Sequence, residues 1–205
     1  MDTRFLAGAV FSSALTTVLF AQTTAQNGGP ADAARQLEAD LRAANATCRS
    51  ALQAAVTDAP TACAEVVALT ERLAPDRRLE RRGALRGLAS AFFLNGRFAE
   101  ARVQMERAIV VSGLLDINAE AADDYRDLAM IQVALKDFPS ADATFARAVR
   151  IYETAIVAIG SPGLAEQYRS RLQQTLTEYI RFKRSQGDTA GAMALEAKLA
   201  PRPPN

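Results

Sequence analysis

The chain repeats itself, and that feature restricts its fold more than any other. Leu85, Leu88-Ala89, Phe92, Gly96, Phe98, Ala101, Met105 and Ala108 recur 40 residues later as Tyr125, Leu128-Ala129, Gln132, Lys136, Phe138, Ala141, Phe145 and Ala148. The segments GRFAEARVQMERA and KDFPSADATFARA align without a gap. Within each copy the apolar residues recur three and four apart, the period of a helix face. Ala89 and Ala101, like Ala129 and Ala141, are small where two helices must approach closely. Phe92, Phe98 and Met105, like Phe138 and Phe145, fill the space around that contact. From Ala31 to Ala200 the pattern is helical almost throughout, with no sustained alternation of β-branched residues. It predicts eight helices over 31–56, 60–73, 77–94, 97–112, 118–135, 138–158, 162–186 and 188–199. Pro60, Pro75, Pro139 and Pro162 fall at helix boundaries, where a missing N–H does least harm. Asp76, Asp137, Ser161 and Asp188 stand at N-cap positions. Short loops make successive helices antiparallel neighbours, so the helices form four hairpins.

The matched small and large residues resemble the tetratricopeptide repeat (TPR), with its Leu-Gly and Tyr on helix A and Ala, Phe, Ala on helix B. The resemblance implies an all-α fold in which antiparallel helix-turn-helix pairs stack as a short right-handed solenoid. It is strong over 82–150 and decays on both sides. The period exceeds the usual 34 residues, which implies longer helices or an extended connection around Leu114-Leu115-Asp116. Gln132 and Lys136 replace the expected aromatic and glycine. The implied organisation is a degenerate pair over 31–75, two repeats over 76–160 and a capping pair over 161–200. Terminal repeats of a stack must present a different outer face.

Residues Phe5 to Phe20 form an uncharged, largely apolar run, preceded by Arg4 and followed by small residues. Thr23 and Ala25 have the spacing that signal peptidase favours, and Ala21 is a second choice. The pattern reads as a signal peptide over 1–25 and an exported protein, in a bacterial periplasm or secreted. A single membrane anchor is the rival reading, but the run is short of the roughly 20 residues needed to span a bilayer. After cleavage the chain is expected not to be an integral membrane protein. Residues 26–30 read as a flexible lead-in and 201–205 as a disordered tail. In an exported chain Cys48 and Cys63, 15 residues apart across one hairpin, are a candidate disulfide. Buried free thiols are the alternative. The TPR resemblance adds that Cys63 should face Ala51, one turn from Cys48.

No histidine occurs, which removes the commonest general base and metal ligand. No metal-ligand spacing, phosphate-binding loop or nucleophile elbow appears, so no catalytic residue, metal or cofactor is expected. With 24 basic and 23 acidic residues there is no basic excess to suit nucleic acid. Charge is instead segregated: 76–107 holds eight basic residues against four acidic, and 108–137 holds six acidic against two basic. The resemblance places Arg86, Ser90, Phe93, Arg126, Met130 and Val133 on the groove-facing side of successive A helices. In that reading a protein or peptide partner binds there and the protein is a non-catalytic adaptor. The alternatives are that Arg82 and Arg86 pair internally with Asp123 and Asp127, and that the chain is an envelope-complex subunit docking through its flanking helices.

Overall fold

A computed structural model describes residues 29–113 and 118–199. The signal-like run, the residues at the centre of the connection around Asp116 and the tail lie outside them. Eight helices follow in order: α1 (Pro30–Gln53), α2 (Ala59–Glu71), α3 (Arg78–Leu94), α4 (Phe98–Gly113), α5 (Asn118–Ala134), α6 (Phe138–Ala158), α7 (Pro162–Ser185) and α8 (Thr189–Leu199). Among the described residues there is no strand. Each odd-numbered helix pairs with the next, and each even-numbered helix packs on the following pair, as in a stack. The expected boundaries hold to within a few residues.

Local chemistry explains the ends, with three adjustments. Pro30, expected in the lead-in, is the first residue of α1. The Asp32 carboxylate there accepts the Gly29 N–H, which anchors the turn. Asp76 is not a cap, because α3 starts at Arg78 after Arg77. Ser161 stands at the N-cap of α7, but its hydroxyl makes no capping bond. Asp137 accepts the Ser140 N–H, and Asp188 accepts the Gly191 N–H at 2.8 Å. A Cβ at Gly191 would sit 2.4 Å from that carboxylate, so any larger residue there would displace the cap. The α3–α4 and α5–α6 turns require a left-handed residue at matched positions. Gly96 supplies it at φ +71°, and Lys136 adopts φ +61° despite its side chain.

The repeat residues form the core. Ala89, Ala101, Ala108, Ala129, Ala141, Phe145 and Ala148 are fully buried; Met105, Leu88 and Leu128 are nearly so. Phe92 and Phe98 are half-buried, and Arg97 stacks over Phe92. Gln132, in the aromatic position of the second copy, is buried with its amide oxygen unpartnered. One cluster spans α1–α5; a second joins α5, α6 and α7 through Phe145, Tyr179 and Phe182. Cys48 and Cys63 form a disulfide between α1 and α2. No described helix is long and apolar enough to cross a membrane.

Candidate functional site

The A helices α3, α5 and α7 are joined side to side by a ladder of ion pairs, and its geometry decides what this face can do. Arg82, on α3, meets the carboxylate of Asp124 through two hydrogen bonds of 2.8 and 2.9 Å. Asp124 is fully buried and also accepts the Ser112 hydroxyl at the end of α4. One turn on, Arg86 lies 2.9 Å from Asp124 and 2.6 Å from Asp127. Arg126 contacts Asp127 at 2.8 Å, with Asp123 at 3.6 Å and Glu178 at 3.7 Å. Arg171, on α7, reaches Asp123 at 2.6 Å. Tyr152, fully buried on α6, donates its hydroxyl to the same carboxylate. Asp123 and Asp124 are neighbours on one helix and point about 100° apart. One therefore serves α7 and the other α3.

This arrangement corrects the expected pairing in one respect. Arg82 pairs with Asp124, not with Asp123 or Asp127; Arg86 does reach Asp127 but shares Asp124 as well. Four guanidinium groups (Arg82, Arg86, Arg126, Arg171) face four carboxylates (Asp123, Asp124, Asp127, Glu178), so the ladder is neutral. Burial pulls the affinity of Arg86 and Arg126 for their protons down, and Asp127 with its neighbouring carboxylates more than restores it. Burial, then the hydrogen bond to Asp123, holds the Tyr152 hydroxyl far above the ordinary phenol range. Removing Asp124 from the buried pair with Arg82 would strand the guanidinium in a poor dielectric, so that pair is costly to break.

Beside the ladder, α3 and α5 enclose a cleft of about 250 Å³. Ser90, Phe93 and Leu94 form one wall, Asp127 and Ile131 the other, and Met105 of α4 the floor. Phe93 is braced by Phe98, with ring centroids 5.3 Å apart, and Leu94 is 53% exposed at the rim. Of the six residues expected on this face, Ser90 and Phe93 share the cleft. Arg86 and Arg126 are in the ladder, while Met130 and Val133 pack against the Ala129 and Phe145 cluster. Sequence reasoning missed Ile131 and Leu94 as lining residues and Arg171 and Glu178 as ladder members. Leu94 lies four residues after Ser90 and Ile131 four after Asp127, one helical turn in each case. The α7 residues lie in a degenerate pair where no repeat register pointed to them.

No family profile matches the chain, and no characterised protein matches it in sequence. Solved structures do resemble it. A Podosopora anserina chain described as a putative kinesin light chain with nearly identical TPR-like repeats superposes at a TM-score of 0.60 and 19% identity. The match covers 77% of this chain and 72% of that one. A single-substitution variant of that protein gives the same figures. The BtubC (BKLC) chain of P. vanneervenii aligns over 82% of this chain and 95% of that one, at 16% identity and a TM-score of 0.38. At these identities the likeness concerns fold, and the first two matches establish that the described helices form a TPR-like repeat.

Proposed function

We propose that the protein is an exported, non-catalytic adaptor that holds a protein or peptide partner on the face formed by α3 and α5. The observation that carries this reading is the cleft walled by Ser90, Phe93, Leu94 and Ile131, beside a neutral ladder that keeps its shape fixed. A TPR-like fold generally serves protein–protein interaction, and a preformed apolar cleft suits an apolar side chain of a partner. The disulfide supports an oxidising compartment, as the signal-like run over 5–20 does. Among the described residues no group of acidic residues and cysteines could hold a metal ion. The test is capture from an envelope fraction with the parent and Phe93→Asp proteins. A protein recovered by the parent and lost with Phe93→Asp supports the reading. Equal recovery by both places the surface elsewhere. Met193 on α8, 64% exposed, favours the flanking helices in that event, as a complex subunit would use them.

A further inference from the structure

We propose that the Cys48–Cys63 bridge is a thiol–disulfide exchange site: a protein dithiol, carried on a Cys-x-x-Cys loop, attacks the Cys48 sulfur through a cleft between α1 and α3. This is independent of the groove reading above. The two cysteines differ in access. Cys63 has no exposed surface and lies in the α1–α5 core cluster, whereas Cys48 keeps 7% of its surface. Cys48 also lines a cleft of about 180 Å³, with Asn45 and Leu52 of α1 on one side and Gly83 and Gly87 of α3 on the other. That space is large enough to admit a cysteine side chain from a protruding loop. Exchange requires that a thiolate reach one sulfur of the bridge, and here only Cys48 borders an opening.

The two glycines leave that sulfur uncovered. Both lie inside α3, where glycine is less favourable than alanine. Neither adopts a left-handed backbone angle, and neither is demanded by crowding. A Cβ at Gly83 would meet nothing within 4 Å, and one at Gly87 only the Cys48 sulfur, at 3.7 Å. A longer side chain at Gly87 would therefore lie on the sulfur. In the exchange the incoming thiolate bonds to the Cys48 Sγ and the Cys48–Cys63 bond breaks. Its electron pair leaves on Cys63, which takes a proton. The second thiol of the dithiol then attacks the mixed disulfide and releases Cys48. The dithiol is oxidised to a disulfide and the bridge is reduced to two thiols, so electrons and protons balance. Opening the bridge removes the covalent link between α1 and α2 and leaves the ion pairs of α3, α5 and α7 in place.

The probe is thioredoxin with its second active-site cysteine changed to serine, which stops the reaction at the mixed disulfide. It is mixed with the oxidised full chain, quenched with N-ethylmaleimide and mapped by peptide mass. The crosslink is expected on Cys48 and the alkyl group on Cys63. The rate should rise with thioredoxin concentration and stay flat in urea well below the unfolding transition. Gly87→Leu, which covers the sulfur, should slow the reaction about tenfold or more, because access governs exchange. Gly83→Ala improves the helix without covering the sulfur, so it should react like the parent and control for stability. Crosslinks shared between Cys48 and Cys63, or a rate climbing steeply with urea, would mean attack on unfolded chain and overturn the proposal. So would equal rates for Gly87→Leu and Gly83→Ala. Should Gly87→Leu fail to fold, the crosslink position and the urea dependence of the parent decide. Opening by dithiothreitol with no thioredoxin crosslink would overturn the protein dithiol.

Discussion

The central hairpins and the N-terminal hairpin solve the same packing problem by different means. In α3–α6, interhelical contacts are fully buried alanines flanked by Met105 and Phe145, and buried ion pairs link α3 to α5. In α1–α2 the 24-residue α1 buries only Leu41, Ala44 and Cys48. Its hold on the stack comes from those residues, the partly buried Leu37, Ala51 and Leu52, the half-exposed Arg77–Glu38 pair and the disulfide. A repeat in the middle of a stack has neighbours on both sides and can be held by shape. A terminal pair has one neighbour and a polar outer face, and here a covalent link supplements a thin apolar contact.

The strongest way to break the centre is to strand a buried charge. Asp124→Ala leaves Arg82 without its carboxylate in a site 8% exposed. The expected cost is about 3–5 kcal/mol in denaturant unfolding, where most surface changes fall within ~0.5 kcal/mol. At the N-terminal pair, Cys48→Ser with Cys63→Ser opens a loop worth about 3 kcal/mol in the chain-entropy model. Hydrogen exchange should then accelerate in α1 well before α5, and uniform acceleration would erase the contrast between the regions. A smaller effect tests the close contact: Ala101→Leu and Ala141→Leu should each cost about 1–3 kcal/mol. Arg107→Leu, whose exposed pair with Glu71 is worth under about 1 kcal/mol, should melt near the parent.

Alkaline pH tests the capping pair more gently. Burial, then the hydrogen bond to Asp142, holds the Tyr179 hydroxyl up to about 12. The folded state binds this proton more tightly than the unfolded state. Its contribution is therefore complete below the ordinary phenol value of about 10 and is lost as pH rises from there towards 12. Thermal midpoints should fall across that window, and Tyr179→Phe should flatten part of the fall. Tyr152, held up by burial and then by Asp123, and Lys183, where Asp142 and Asp188 outweigh burial, act in the same direction and contribute to the rest of the fall.

Much of the fold was legible because the repeat puts small and large residues at matched offsets, and such a pattern has few other uses. Ala101 and Ala141 were readable as contacts from spacing alone. Lys136 in a left-handed turn was visible only as a departure from the Gly96 pattern. The site was less legible. Which of two adjacent carboxylates turns towards α3 depends on helix rotation, so Asp124 rather than Asp123 became the partner of Arg82. The link from Arg171 to Asp123 spans 48 residues and belongs to no repeat register.

The ladder arginines of α3 and α5 pair with carboxylates of the chain itself, and we propose that they build the scaffold rather than read a partner. The most direct test of that claim is a double-mutant cycle on Arg86 and Asp127, which lie 2.6 Å apart and are each under one-third exposed. Unfolding of the parent, Arg86→Ala, Asp127→Ala and the double variant gives the coupling. It should be at least about 1 kcal/mol, within the range for contacting residues of one ionic network. A coupling near zero would show that the pair contributes nothing to the fold, which would contradict the account.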